Sequence, residues 1–308
     1  MPDIVVAEFM DEEAVSKGLA GHDVFYDPKL VDRPDDLARL VADARALIVR
    51  NRTQVRGALL DAAPKLKVVG RLGVGLDNID VEACKARGIK VFPATGANDL
   101  SVAEYVISAA MILLRGAYHA TSRVIAGEWP RNALMGRELS GKVMGLVGFG
   151  AIAREVARRA QALGMQAIAF DPYAPDAAFA AADVKRHGLE PLLREADVVS
   201  LHVPLDDGTR NMIDALRLQR MKPGSILINA ARGGVVDEAA VVAALRSGHL
   251  GGAALDVFAE EPLTAEKAKL FDGAPNLILT PHIAGVTQES NVRVSWVTVE
   301  NVKKALGA

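Results

Sequence analysis

Short apolar runs recur along the whole chain, separated by stretches in which apolar residues fall at helical spacing. Residues 4–7, 24–26, 47–49, 66–69 and 90–92 read as buried strands, with helices over 12–19, 35–41, 57–62 and 81–87. The same alternation returns with strands at 143–147, 166–170, 198–202, 226–229, 253–257 and 277–280, and ends in a helix over 288–305. Between the two sets a single long helical pattern covers 100–126. Asp99 is its expected N-cap, and Gly127-Glu128-Trp129-Pro130 stops it. Strand–helix alternation predicts an α/β protein of two doubly wound parallel-sheet domains. The first is expected over 1–97, completed by 287–308 if the closing helix returns to it. The second, over 98–286, is expected to be a Rossmann dinucleotide-binding domain.

That expectation rests on one stretch. The strand at 143–147 runs directly into Gly148-Phe149-Gly150-Ala151-Ile152-Ala153, a helical run and a second strand closed by Asp171. Strand, glycine turn, helix, strand and acid in this order form the dinucleotide fingerprint. Gly148 makes the tight turn, and Gly150 lets the backbone approach a pyrophosphate. The helix start near Ala151 offers unpaired N–H groups to the phosphates. Ala153 fills the third glycine position, which only packs helix on strand. Asp171 stands where a carboxylate accepts from the adenosine ribose and repels a 2′-phosphate, so NAD is the expected cofactor rather than NADP.

Composition narrows the class further. The 308 residues are 50% hydrophobic with a net charge of −2, enough for two cores and without a long basic run, so nucleic acid is not an expected partner. Cys84 is the only cysteine, which rules out an internal disulfide. The acidic start, MPDIVVAEFMDEEAV, does not read as a signal peptide, and the apolar stretch near Ile107–Leu114 is too short to span a bilayer. A cytoplasmic protein without membrane attachment is expected. No histidine or cysteine spacing suggests a metal site. His22, His119, His187 and His249 read as surface or helix residues.

In open parallel sheets, ligands bind beyond the carboxyl ends of the strands. Arg232, Glu261 and His282 all fall there. A guanidinium fork can hold a carboxylate and polarise a ketone. An imidazole can give a proton to a forming alkoxide or take it back. A carboxylate beside it favours the imidazolium and fixes its orientation. Taken singly, each has a blander reading as a solvated arginine, a loop acid or a turn histidine.

The stretches Gly145-Leu-Val-Gly-Phe-Gly, Asn229-Ala-Ala-Arg-Gly-Gly-Val-Val-Asp, Ala254-Leu-Asp-Val-Phe-Ala-Glu-Glu-Pro and Thr280-Pro-His-Ile-Ala-Gly resemble the D-2-hydroxyacid dehydrogenase family. Val49-Arg-Asn-Arg-Thr-Gln-Val and Val68-Val-Gly-Arg-Leu-Gly-Val-Gly-Leu-Asp-Asn-Ile-Asp are similar to its phosphoglycerate dehydrogenase subgroup. The likeness covers essentially the whole chain. It implies Arg232, Glu261 and His282 as the catalytic set. It implies NAD contacts from Val74, Ala151, Ile152, Asp171, Val203, Ala230, Ala231, Arg232, Asp256, His282 and Gly285, and a homodimer built around the long helix. Three features depart from the subgroup. Val74 and Val203 stand where threonine is frequent, Ala151 stands where arginine often follows the second glycine, and the chain stops soon after the closing helix, without the subgroup's regulatory domain.

The expected substrate is a small anionic 2-hydroxy or 2-oxo acid. Arg50, Arg52 and Arg71 sit at or past strand ends in the first domain, and Arg131 and Arg137 follow the long helix, where they could reach across a dimer. The resemblance implies substrate contacts from Arg50, Arg71 and Gly73, with Arg131 and Arg232 added. Such a basic pocket suits a second anion, phosphate or sulfonate. The length and the Glu-Phe-Met-Asp opening are similar to bacterial sulfolactate dehydrogenases. Because sulfonate outranks carboxylate in naming priority, (S)-3-sulfolactate has the spatial arrangement of D-3-phosphoglycerate. Two other readings are a glyoxylate/hydroxypyruvate reductase and an NAD(H)-sensing binding protein like the corepressors of this family.

Overall fold

The computed structural model describes residues 2–307. The chain divides into two units: one takes it up to Asn98 and again from Val286, and the other is Asp99–Gly285. Each division falls one residue from the boundaries expected at 97 and 286.

In the first unit, β1 (Ile4–Val6), β2 (Val24–Tyr26), β3 (Ala46–Val49), β4 (Val68–Arg71) and β5 (Lys90–Pro93) form a parallel sheet in the order β2-β1-β3-β4-β5. Successive side chains point to opposite faces of a strand, so β3 splits its apolar run between two cores. Leu47 and Val49 pack with Leu37 and Val41 of α1 (Pro34–Val41), Leu60 of α2 (Ala58–Asp61) and Cys84 of α3 (Val81–Ala86). Ala46 and Ile48 pack with Val294, Val299 and Val302 of the closing helix, Gln288–Leu306. That helix crosses β4 so closely that a Cβ on Gly70 would lie 2.7 Å from Val302. Over 12–19, where a helix was expected, the chain makes a π-helical turn, Ala14–Gly18, seated on the closing helix. A Cβ on Gly18 would meet Val299 at 3.0 Å.

In the second unit, β6 (Val143–Val147), β7 (Gln166–Phe170), β8 (Lys185–Arg186), β9 (Val198–Leu201), β10 (Ser225–Asn229), β11 (Leu250–Leu255) and β12 (Leu277–Leu279) form a parallel sheet in the order β12-β11-β10-β9-β6-β7-β8. The chain runs outward from β6 to β8, then returns to lay β9 on the other side of β6. This reversal is the switch point at which open α/β sheets bind ligands. Beyond β6 comes the fingerprint turn; beyond β9 comes His202-Val203.

The helix expected over 100–126 is two helices, α4 (Asp99–Arg115) and α5 (Thr121–Ile125). Gly116 takes a left-handed φ of 61° and ends α4. The returning chain seals that end: Arg137 N donates to Leu114 O at 2.9 Å, and a Cβ on Gly136 would lie 2.2 Å from Arg115 O. Asp99 is the first residue of α4, not its N-cap. The apolar face of α4 packs on α6 (Ala151–Ala162) and the sheet through Val106, Ala110 and Leu113, whereas α5 buries no residue. Among the described residues no helix is long and apolar enough to cross a membrane.

Unit one is latched at its amino end by Asp3. The Arg45 guanidinium (Nη2 to Oδ2, 2.7 Å) and His22 Nδ1 (2.9 Å) bind its carboxylate. His22 is therefore tied into an ion-pair cluster rather than lying loose at the surface. Arg45 holds the Asp3 carboxyl down at about 2, against burial, which alone would raise it, with His22 adding to the lowering. The folded carboxyl is the more acidic one, so its contribution is complete above the ordinary carboxylate range. It is lost as pH falls from there through about 2. Asp3→Asn is expected to cost about 2 kcal/mol at pH 7 and much less at pH 2. Urea unfolding at both pH values checks this; equal losses at the two would remove the ion pair as the cause.

Candidate active site

Gly148, directly after β6, adopts φ 91°, and a Cβ there would lie 2.4 Å from His202 O. The fingerprint turn is thus pressed on the loop after β9 with no room for a side chain. Around Gly150 a Cβ would meet nothing within 4 Å, which is the open backbone a pyrophosphate needs. Gly150 caps α6 without a side-chain hydrogen bond. The first intrahelical bond found there is Arg154 N to Gly150 O, 3.1 Å, so the N–H groups before it point out of the helix. Ala153 is fully buried. These features fit a dinucleotide phosphate, with Ala151 and Ile152 at the helix mouth.

Asp171, just beyond β7, uses its carboxylate more heavily than the fingerprint alone suggests. Oδ2 accepts from Phe149 N at 2.8 Å, and Oδ1 accepts from Tyr173 N at 2.8 Å and Ala174 N at 3.0 Å. One acid therefore ties the glycine turn to its own loop. Oδ2 keeps a lone pair for a ribose hydroxyl. Phe149 stacks on Phe179 with centroids 4.6 Å apart, and Arg186 lies over Phe179 at 5.2 Å while donating to Asp171 O at 3.1 Å.

Glu261 and His282 are brought together across the loops after β11 and β12. His282 Nδ1 lies 2.7 Å from Glu261 Oε2, while Glu261 Oε1 accepts from Phe258 N at 3.0 Å. Burial pushes the Glu261 carboxyl up, but the His282 contact, the Phe258 N–H and the charges of His282 and Arg232 outweigh it and hold it below its ordinary value. An ionised Glu261 fixes the proton on Nδ1 and leaves Nε2 for other chemistry. Arg232 follows β10 at the end of a loop shaped by Asn229. The Asn229 amide donates to Arg232 O at 2.9 Å, and its carbonyl accepts from Ala231 N at 3.1 Å. Arg232 Nη1 donates to Ala231 O at 2.6 Å. Gly233 lets this loop touch the next one, since a Cβ would fall 1.7 Å from Phe258 O. Glu238 completes the frame by accepting from Ala259 N at 2.6 Å.

His282 sits at φ 56°, a left-handed conformation that costs a non-glycine residue roughly 1–3 kcal/mol. Asp256, 1% exposed, imposes it. Its backbone O accepts from His282 N at 2.8 Å, and its carboxylate accepts from Ile283 N and Ala284 N, each at 2.8 Å, and from Thr280 Oγ1 at 2.6 Å. The contacts of Asp256 therefore form the turn first, and any cofactor contact is additional. Gly285 closes the same turn. Val203, Ala230 and Ala231 are half-buried at the ends of β9 and β10. His202 Nε2 meets the buried Ser200 hydroxyl at 3.0 Å, and burial lowers its imidazole to about 4, so it is neutral at physiological pH.

Arg50, Arg71, Gly73 and Val74 lie in the first unit, at or past strand ends. Glu8, 4% exposed, receives Arg50 N (2.9 Å), Thr53 N (3.0 Å) and Arg52 N (3.2 Å), and so folds the loop after β3 around one carboxylate. The Asn78 amide donates to Thr53 O at 2.7 Å. Arg50 Nη1 donates to Asn291 Oδ1 at 2.8 Å, and burial lowers the Arg50 guanidinium from its ordinary value, with Glu8 opposing. Arg71 ends the neighbouring strand β4 and folds back over Gly73, donating to Leu72 O at 2.8 Å. Gly73 has φ 146°, and a Cβ there would collide with the Arg71 guanidinium at 1.5 Å. Val74 follows, half-buried. In the second unit Arg131 is exposed. His187 Nε2 contacts Glu195 at 3.1 Å and His249 Nε2 contacts Leu218 O at 2.9 Å, so these two histidines are also bonded rather than loose. Sequence reasoning passed over Glu8, Asn78, Tyr105, Glu238 and Thr280. Glu8 had a signal, an acid immediately after an apolar strand; the others had none short of the fold.

A strand-reversal cleft with a fingerprint turn, beside a histidine–glutamate pair and an arginine, defines a nucleotide-dependent dehydrogenase. Residues 107–284 match the family described as D-isomer specific 2-hydroxyacid dehydrogenase, NAD binding domain. Over 312 aligned residues the chain is 58% identical to the (S)-sulfolactate dehydrogenase of Chromohalobacter salexigens, covering 100% of this chain and 99% of that one. It is 40% identical to the D-3-phosphoglycerate dehydrogenase of Mycobacterium leprae over 99% of this chain, and spans 57% of that protein's length. The solved D-lactate dehydrogenase from Aquifex aeolicus, complexed with NAD and lactic acid, superposes with a TM-score of 0.85 at 28% identity, covering 99% of this chain and 95% of that one. The chain belongs to the D-isomer specific 2-hydroxyacid dehydrogenase family and is an NAD-dependent oxidoreductase acting on a CH–OH group.

Asp171 gives a two-part prediction. Asp171→Ala is expected to weaken the preference for NADH over NADPH and also to destabilise the second unit by about 2–3 kcal/mol, since three N–H groups lose their acceptor. Asp171→Asn, which keeps one carbonyl oxygen, should lose less stability. Thermal unfolding and kcat/KM with both cofactors measure it. Equal efficiency with NADPH in the unmodified enzyme would refute the role in selection.

Proposed function

We propose that the enzyme interconverts a dianionic D-configured 2-hydroxy acid and its 2-oxo acid, (S)-3-sulfolactate and 3-sulfopyruvate above all. The observation that carries this reading is the pair Arg50 and Arg71 at the ends of the adjacent strands β3 and β4, two cations on one edge of the first unit. We take that unit as the substrate-binding domain. The 58% identity to a sulfolactate dehydrogenase across the full length supports sulfonate as the second anion. D-3-phosphoglycerate offers the same charge pattern with the same handedness and is the second candidate.

In this reading the fingerprint turn, the mouth of α6 and Asp171 hold NAD, and its nicotinamide supplies or receives the hydride at the substrate's C2. Arg232 holds the carboxylate of the 2-oxo acid and polarises the ketone through its planar fork. His282 Nε2 donates a proton to the oxygen as the hydroxyl forms and takes it back in the reverse direction. Glu261, kept ionised by His282 and the Phe258 N–H, stabilises the imidazolium and fixes which nitrogen faces the reaction. Arg50 and Arg71, with Gly73 beside them, bind the remote anion. Tyr118, Ile125, Trp129 and Met135 are 65%, 81%, 76% and 80% exposed, and burying this apolar segment against a second copy supports a homodimer, in which Arg131 reaches the partner. Dependence on NAD supports a cytoplasmic location.

His282→Ala is expected to lower kcat roughly 10²–10⁴-fold with little change in NADH affinity, and Arg232→Lys to be similarly damaging because a point charge cannot replace a bidentate fork. Near-normal turnover in His282→Ala would make the histidine structural. Arg50→Ala or Arg71→Ala should reduce kcat/KM about tenfold to a hundredfold for 3-sulfopyruvate or 3-phosphohydroxypyruvate, while leaving glyoxylate nearly unaffected. Equal losses on all three substrates would assign the arginines to the fold.

A further inference from the structure

The turn that carries His282 is joined to α4 by a hydrogen-bonded series whose outer member, Tyr105, lies outside the family motifs. Tyr105, on the half-buried side of α4, places its hydroxyl 2.6 Å from Thr280 Oγ1, and Thr280 Oγ1 lies 2.6 Å from Asp256 Oδ1. The direction of the series follows from the chemistry of its groups. An ionised carboxylate only accepts, so Thr280 must spend its single proton on Asp256. Its oxygen then accepts, and Tyr105 must be the donor. The same Oδ1 also receives Ile283 N at 2.8 Å, so the threonine and the backbone after His282 converge on one oxygen, and the tyrosine joins them through the threonine. Asp256 itself is buried directly after β11.

We propose that Tyr105 and Thr280 are positioning residues for the reaction, holding the 280–284 turn on Asp256 so that the His282 ring keeps its alignment with the substrate oxygen. The proposal rests on His282 being the proton donor. His282 needs such a device. His282 is 41% exposed at its side chain and has a left-handed backbone, so neither close packing nor intrinsic preference keeps it in place. Glu261 fixes one ring nitrogen, but Glu261 is on a different loop and does not set the backbone of residue 282. The turn must be held from below, and the donors aimed at Asp256 are what hold it. Small displacements of a catalytic group lower the rate of the chemical step more than the binding of substrate. Tyr105 also links the turn to a long, well-packed helix, which gives the series a rigid base.

The test uses the full-length enzyme with NADH and, as probes, 3-sulfopyruvate and glyoxylate. Tyr105→Phe keeps the ring and is expected to lower kcat about threefold to tenfold on both probes, with KM and NADH affinity changed less than about twofold. Thr280→Val breaks both bonds and is expected to lower kcat about tenfold to a hundredfold, while Thr280→Ser restores it to within about threefold of the unmodified enzyme. Because both residues act through one link, adding Tyr105→Phe to Thr280→Val should cause no further loss. Additive losses, an unchanged kcat in Tyr105→Phe, or losses confined to KM would each overturn the proposal. If Thr280→Val does not fold, Tyr105→Phe and Thr280→Ser decide it alone. His282→Ala separates this proposal from the reading beneath it. Loss of turnover there with normal turnover in Tyr105→Phe rejects only the series, whereas retained turnover in His282→Ala rejects the role of the histidine itself.

Discussion

Buried carboxylates just past strand ends shape two of the loops that carry the candidate site residues. Asp256 gathers Thr280 Oγ1, Ile283 N and Ala284 N, and its own carbonyl takes His282 N. Glu8 gathers the N–H groups of Arg50, Arg52 and Thr53. Loops that leave a parallel sheet carry N–H groups with no ladder partner, and leaving them unpaired in a buried place is costly. An acid with several lone pairs satisfies them together and in doing so dictates the loop's path. The functional side chains then project from backbones that have little freedom to move.

Asp171 shows the same economy on the cofactor side. It binds Phe149 N, Tyr173 N and Ala174 N, so the acid of the fingerprint also shapes the glycine turn. Truncating it would therefore disturb the turn itself. Glu261 is a further case, with one oxygen on Phe258 N and the other on His282. Across these sites the acids do not merely add charge. They convert backbone donors into fixed geometry and present the remaining lone pairs to ligand or histidine.

The glycines complete the arrangement by allowing backbones to touch. Gly148 admits His202 O, Gly233 admits Phe258 O, and Gly73 admits the Arg71 side chain. A Cβ at Gly148 or Gly233 would separate loops that must meet. The sequence motifs containing these glycines are thus spacing requirements as much as ligand sites.

Alternation of apolar runs with helical periods was enough to specify two parallel α/β units, and the order of strand, glycine turn, helix, strand and acid was enough to specify a dinucleotide cleft, because both signals are local and depend on nearest-neighbour sterics. Local pattern could not see that Gly116 breaks the long helix, since α5 has helical spacing without a core to bury against. Nor could it show that Asp256 and Glu8 organise loops. Their partners Thr280 and Arg52 are distant in sequence, and only the laying of strand beside strand brings the donors to the acid. What the chain determined by itself was the identity of its elements and the residue types offered at their ends. The tertiary structure alone decided which acid meets which donor, because the strands that converge there come from far apart along the chain.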